Sequence, residues 1–310
     1  MSASATVSPV RRAAVPGSRV PGARHATLYL FLLPFAVLTA LFGIWPIIES
    51  IRVAFTDSGT ALSDSPEYVG FDNFVAVVSD PAFLPSLTRT LAYTFASVAL
   101  NLLASLALAL LLSNRALARG QIWFKLAVFL PVVTPDVASF VVWKWMVNQD
   151  FGAVSQALLL LHLPAFPGIT QPGSAFVTLL LVDCWHHVGL YTLIFLTNIQ
   201  MLDPALDEAA AIDGAGRWVR LVRVVAPQLR PAIAINGVYA LIEFLKTFTI
   251  VLIMTRGGPN FSTDFVSYYA YARFNSADYG GATASATILF GIVLALATGA
   301  LFLLRRDPAT

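Results

Sequence analysis

Six stretches of mostly apolar residues set the rhythm of this chain: 28–48, 91–112, 126–146, 175–198, 232–254 and 282–304. Each is close to the roughly 20 residues that a helix needs to cross the hydrocarbon of a bilayer. A helix also bonds all its own backbone groups there, which an open strand does not. The pattern predicts an all-α, polytopic membrane protein with six transmembrane helices. They form one domain over residues 27–306, behind a disordered, basic tail over residues 1–26. The first apolar stretch is longer than the core of a signal peptide, so it reads as a retained span. Pro131 and Pro135 break the third stretch near its middle, which is tolerable only within a bundle or against a cavity.

The longest polar interval of the second half, residues 203–231, carries helix signals of its own. Asp203 is suited to cap a helix, and Pro204 fits the first helical position, where a missing N–H costs nothing. Glu208 and the alanines after it combine high helix propensity with little bulk. Gly214 and Gly216 stop that helix, because glycine takes the left-handed cap without strain. A second, basic helix follows with Arg217, Trp218, Arg220 and Arg223, and Pro227 ends it. The expected product is a helix–turn–helix at a membrane surface, whose smooth first helix suits a partner's cleft better than a core.

Composition agrees with the pattern. Only 12% of the 310 residues are charged, against about 25% in soluble domains. A net charge of +2, spread beside the spans, gives no footprint for nucleic acid. The placement of the charge sets orientation. With the N-terminus inside, Arg11, Arg12, Arg19, Arg24, Arg115, Arg119, Lys125, Arg217, Arg220, Arg223, Arg230, Arg305 and Arg306 all face the cytoplasm, thirteen of the 19 lysines and arginines. Both termini and the 203–231 loop are then cytoplasmic. The single cysteine, Cys184, supports neither a disulfide framework nor a cysteine-based zinc site.

Within the loop, Glu208-Ala209-Ala210, followed by Gly214 and then Pro227, resembles the EAA loop of bacterial ABC importer permeases. In that family the loop is a cytoplasmic coupling helix seated in a groove of the ATPase subunit. The resemblance assigns coupling roles to Glu208, Ala209, Ala210, Asp213, Gly214 and Pro227. The family usually ends the loop with isoleucine, any residue, leucine and proline; here Val224-Val225-Ala226-Pro227 lacks the leucine. Gly70-Phe71-Asp72-Asn73-Phe74, the Leu130 to Pro135 segment, and Gly257-Gly258-Pro259 with Tyr279-Gly280-Gly281 are similar to segments of the sugar-type branch, the maltose- and glycerol-3-phosphate-like systems. The resemblance covers nearly everything but the tail. It implies a permease subunit of an ATP-driven importer in the bacterial plasma (inner) membrane. Such a subunit translocates a sugar, polyol or glycerol-phosphate-type solute delivered by an extracytoplasmic binding protein. It works with a second homologous permease and two ABC ATPase subunits, which bind the ATP and magnesium.

Polar groups inside spans need a reason, since a charge at the bilayer centre costs about 2.5–3.5 kcal/mol on insertion scales. Asp183, His186 and His187 share one helix face at i,i+3 and i,i+4 spacing. They fit a satisfied structural trio, a cavity lining, or a metal site with ligands from one helix only. Glu243 and Lys246 can neutralise each other at i,i+3, yet Ala240, Glu243, Phe244 and Thr247 also form a stripe at helical spacing. The resemblance places the solute cavity along that stripe and after the tryptophan of the fourth span, which points to His186, His187 and Tyr191. Neighbours diverge by about 100° on a helix, so not all of these can face one cavity.

No catalytic signature of an intramembrane enzyme is present: there is neither a Gly-x-Ser-x-Gly nor a His-Glu-x-x-His. None of the lysines, Lys125, Lys144 and Lys246, follows a glycine, so the chain has no phosphate-binding loop and needs an external energy source. The remaining alternative is a secondary carrier or channel without an ATPase, which has no need of the 203–231 loop and often repeats its halves.

Overall fold

The computed structural model of the chain describes residues 25–57, 66–113 and 121–305. The expected tail lies outside them except at its last two positions, as do Arg115, Arg119 and Arg306. The helices are α1 His25–Leu38, α2 Trp45–Ala54, α3 Asp72–Ser79, α4 Phe83–Ser113, α5 Gln121–Val133, α6 Asp136–Met146, α7 Ala153–Leu160 and α8 Pro172–Gln200. They continue with α9 Pro204–Ile212, α10 Arg217–Arg220, α11 Ala226–Gln228, α12 Arg230–Leu245, α13 Thr249–Met254, α14 Val266–Asn275 and α15 Tyr279–Arg305. A two-stranded antiparallel ribbon pairs β1 Thr56–Asp57 with β2 Glu67–Tyr68. The described residues up to Glu49 and those from Ser50 onward form separate compact units.

In the first unit, α1 runs on through a widened π-turn, Thr39–Ile44, into α2. Its large side chains, such as Phe31, Phe35 and Phe42, are exposed, as a lipid-facing helix requires. The π-turn sits just before Pro46, and the Trp45 N–H donates to the carbonyl five residues back, Ala40. Widening the turn moves away the carbonyl that the proline ring would strike. The device recurs: a second π-turn, Leu221–Val225, precedes Pro227, and Ala226 N–H donates to Leu221. Pro227 therefore does not end the basic helix as expected. It is absorbed into α11, and the break falls at Leu229.

The second unit is framed by α4, α8 and α15, of 31, 29 and 27 residues. α4 packs along α8, and α12 lies against α4, α8 and α15. The inward face of α4 is polar and small: Ser86, Thr90, Thr94, Ser97, Asn101 and Ser105 are all buried at helical spacing. Several bond back to their own helix, as Thr94 Oγ1 does to the Thr90 carbonyl at 2.7 Å. Lipid is as apolar as leucine, so close contact between helices is won by small residues rather than by an oily core.

Two expected spans are not single helices. The 126–146 stretch is α5 and α6, bent by 105° at Thr134–Pro135. The 232–254 stretch is cut at 246–248, where the backbone leaves the helix between α12 and α13. β-branched Thr247 and Thr249 flank Phe248 there, all weak helix formers. Four described helices are long and apolar enough to cross a bilayer, or five if the bent pair is one span. Lys144 donates to the Ile253 carbonyl at 2.9 Å, near the end of α13.

Two distant sequence strings meet beside the ribbon. Asn73 Nδ2 donates to the carbonyls of Ala54 and Thr56, and a Cβ on Gly280 would lie 2.8 Å from the Asn73 amide. Nearby, Arg273 on α14 binds both Asp80 and Asp278. The Ala82 N–H, the Tyr269 hydroxyl and Arg273 hold the Asp80 carboxyl below its ordinary range. Burial, then the hydrogen bond to Asp80, push the Tyr269 phenol up to about 12.

Candidate functional site

A cavity of about 180 Å³ opens where the two helix breaks meet, between α6, α8, α12 and the start of α13. Its wall comprises Asp136 and Phe140 of α6, Asp183 and His187 of α8, Glu243 and Phe244 of α12, and Lys246 to Ile250. The first break is set by Pro135, extended at φ −61° and ψ 132°, which starts α6 and puts Asp136 in its first turn. Thr134 Oγ1 donates to the Pro131 carbonyl at 2.6 Å, satisfying an acceptor freed by the bend. Irregular backbone at this depth survives because it lines a cavity, where polar groups find partners.

The polar groups of the wall are wired in pairs. The Tyr93 hydroxyl donates to Asp183 Oδ2 at 2.7 Å, and His187 Nδ1 lies 3.0 Å from Asp183 Oδ1. His186 Nε2 lies 3.1 Å from Asp136 Oδ1, across 50 residues of sequence. Lys246 Nζ is 3.1 Å from Glu243 Oε2. Phe244 meets the His187 ring edge-on at 5.6 Å. A wall of phenyl rings between hydroxyls, carboxylates and amines suits a ligand with apolar C–H faces and many hydroxyls.

Of the residues singled out in the sequence, His187, Glu243, Phe244 and Thr247 lie on this wall. His186, Tyr191 and Ala240 do not. His186 turns toward α6, Ala240 is fully buried, and Tyr191 is buried against Tyr239 and Phe244. Asp183 joins the wall with His187, one turn on. Sequence reading missed Asp136, Phe140, Phe248, Thr249 and Ile250. Asp136 had a readable signal: a carboxylate directly after a proline, inside an apolar stretch, marks a helix start at mid-span. Phe248 and Thr249 had none, because no glycine or proline marks the second break.

A second surface lies on residues 203–231. Asp203 Oδ1 accepts from Ala205 N–H at 2.9 Å and caps α9. At the other end, Ala215 N–H donates to Ala210 and Gly214 N–H to Ala211, with Gly214 at φ +79°. That is a Schellman cap, and it requires the left-handed residue. Asp207 and Arg220 form an ion pair at 3.5 Å that ties α9 to α10. α9 has no fully buried residue, Glu208, Ala209 and Asp213 are exposed, Ala210 is half-buried, and Ile212 and Trp218 stand out at 87% and 75% exposure.

No family model matches the chain. It is 30% identical over 272 residues to the trehalose/maltose transport system permease protein MalF of Thermococcus litoralis, spanning 87% of this chain and 91% of that one. It is also 30% identical to the inner membrane ABC transporter permease protein YcjO of Escherichia coli, over 86% and 90% of the two chains. Among solved structures, a bacterial alginate ABC transporter in complex with an alginate pentasaccharide-bound periplasmic protein has a similar chain. The TM-score is 0.81 at 25% identity, over 91% of this chain and 95% of the other.

Proposed function

The chain belongs to the family of sugar ABC transporter permeases, and on that premise we propose that it is the permease subunit of an ATP-driven importer whose solute passes through the cavity at the two helix breaks. It is a non-catalytic membrane subunit. The observation that carries the pathway reading is the meeting of two interrupted helices at one polar, phenyl-lined cavity, the form that solute sites take at mid-membrane. Counting α5 with α6 and α12 with α13 as one broken span each, beside the four long helices, supports six spans. The solute is a sugar, polyol or glycerol-phosphate-type molecule handed over by an extracytoplasmic binding protein. α9 is the coupling helix, and Glu208, Ala209, Asp213 and Gly214, with the half-buried Ala210, meet an ATPase subunit; Pro227 closes the segment behind it. A second permease and two ATPases, which hold the ATP and magnesium, complete the complex.

Glu243 tests the pathway. Glu243→Gln keeps the shape and removes the charge that Lys246 now faces. ATP-driven uptake by the complex in proteoliposomes should fall at least about tenfold, the order of one lost charge-assisted hydrogen bond. Basal ATP hydrolysis should not change. Full recovery of uptake on adding Lys246→Met would show that the two residues were only a structural pair.

Orientation is tested separately. In a Cys184→Ser background, a cysteine at Gly216 should resist a membrane-impermeant maleimide in intact cells, and one at Asn260 should react. The opposite pattern would reverse the topology and remove α9 from the ATPase side.

A further inference from the structure

Three carboxylates reach the cavity, and they are not equivalent. Glu243 contacts Lys246, and Asp183 contacts His187, so each of these two faces a basic side chain. Asp136 is bonded to His186, and that ring is constrained differently. Its Nε2 meets Asp136 Oδ1 at 3.1 Å, while its Nδ1 is buried with no partner. A protonated ring would bury an unsatisfied N–H at Nδ1, which is costly. The neutral ring with its proton on Nε2 satisfies both conditions. His186 thus orients the carboxylate without cancelling its charge. Asp136 stands in the first turn of α6, where the helix dipole offers about half a unit of positive charge. Its side chain is 56% exposed. Every basic residue of the described wall, Lys246 and His187, already has a carboxylate partner. The lining is therefore net negative whether or not His187 is charged, and Asp136 is uncompensated in both cases.

We propose that this cavity admits uncharged, hydroxyl-rich solutes and turns anionic ones away, and that Asp136 sets the preference. The proposal rests on the pathway reading above. A neutral sugar brings hydroxyl donors to Asp136 and C–H faces to Phe140, Phe244 and Phe248. A carboxylate, sulfonate or phosphate meets a like charge and no unpaired cation among the described residues of the wall, which narrows the three solute types above to sugars and polyols. The cargo is then closer in charge to the trehalose and maltose of the Thermococcus relative's name than to alginate, an acidic polysaccharide.

The test reads the charge of the cavity without needing the cargo. Cys184→Ser removes the native thiol, and Thr249→Cys places a new one on the wall, in the assembled complex in detergent at low salt. The probes are methanethiosulfonates carrying a trimethylammonium group, a sulfonate group or no charge, each rate divided by that for free 2-mercaptoethanol. The corrected cationic-to-anionic ratio should be about tenfold above unity, as one nearby uncompensated charge implies. Asp136→Asn should lower that ratio several-fold, and Asp136→Glu should keep it. A ratio at or below unity overturns the charge preference. A high ratio that Asp136→Asn leaves unchanged overturns the role of Asp136. If even the uncharged reagent fails to modify the cysteine, the pathway reading falls and takes the proposal with it. Reaction with that reagent but no charge preference leaves the pathway standing and removes the proposal alone.

Discussion

Replacing Gly189 by leucine should leave almost no assembled protein in the membrane. Gly189 lies on α8 where α5 crosses it. A Cβ built there would sit 2.3 Å from the Val128 carbonyl oxygen and 2.9 Å from Val132 Cγ2. The carbonyl belongs to a helix backbone and has no rotamer in which to retreat, so the two helices must part. Overpacking of this kind costs about 1–3 kcal/mol where side chains can adjust, and here they cannot. Gly189→Ala already clashes and should lower the melting temperature of the solubilised protein. Gly189→Leu should abolish the monodisperse peak on size exclusion. The control is Gly291→Ala on α15, where a Cβ meets nothing within 4 Å. It should be neutral or slightly stabilising, since glycine in a helix costs about 0.5–1 kcal/mol relative to alanine. A Gly189→Leu protein that melts like the wild type would mean that α5 and α8 do not approach as described. The effect reaches the cavity too, because α5 leads directly into the break that positions Asp136.

Ala210→Trp should abolish association with the ATPase while leaving the permease folded. α9 contributes no fully buried residue to its own subunit and Ala210 is only half-buried, so a large side chain there disturbs no core. It would instead wedge open a packed interface, which tolerates added volume poorly. Gly214→Val acts on the same helix by another route. At φ +79° a β-branched residue is strained by roughly 1–2 kcal/mol, and a Cβ there meets nothing within 4 Å. Its cost is purely local, and the last turn of α9 should unwind. Co-purification of the ATPase subunit should be lost with Ala210→Trp and weakened with Gly214→Val. Stimulation of hydrolysis by loaded binding protein should fall in parallel. Normal association and stimulation in both variants would make residues 203–231 an ordinary connector.

Local signals carried a good part of this structure. Asp203, Pro204 and Gly214 mark both ends of α9 because capping is a matter of adjacent residues. Pro131 and Pro135 announce the first helix break for the same reason. The second break has no such mark: Lys246 to Phe248 leave the helix through weak propensities and tertiary packing, and hydropathy reads straight across them. Pairing across the fold was equally silent. The bond of His186 to Asp136, and the seat of Gly280 on Asn73, join residues that are far apart in sequence and have no periodic relation. Helical spacing pointed to the stretch of α8 that borders the cavity, but it could not say that His187 lines it while His186 faces α6.

The helix breaks also bear on how such a chain enters a membrane during synthesis. α4, α8 and α15 are long and apolar enough to leave the insertion machinery one at a time. The segments that build the cavity are not. α13 has six residues and α12 sixteen, and α6 and α12 carry Asp136, Lys144 and Glu243 within apolar stretches. Offered alone to lipid, each would leave unsatisfied backbone ends and uncompensated charge. They become stable only against their partners: His186 for Asp136, the Ile253 carbonyl for Lys144, and α4 for α12. On the pathway reading, the interruptions that open a route for a polar solute also delay the settling of α6, whose partners His186 and Ile253 are synthesised after it.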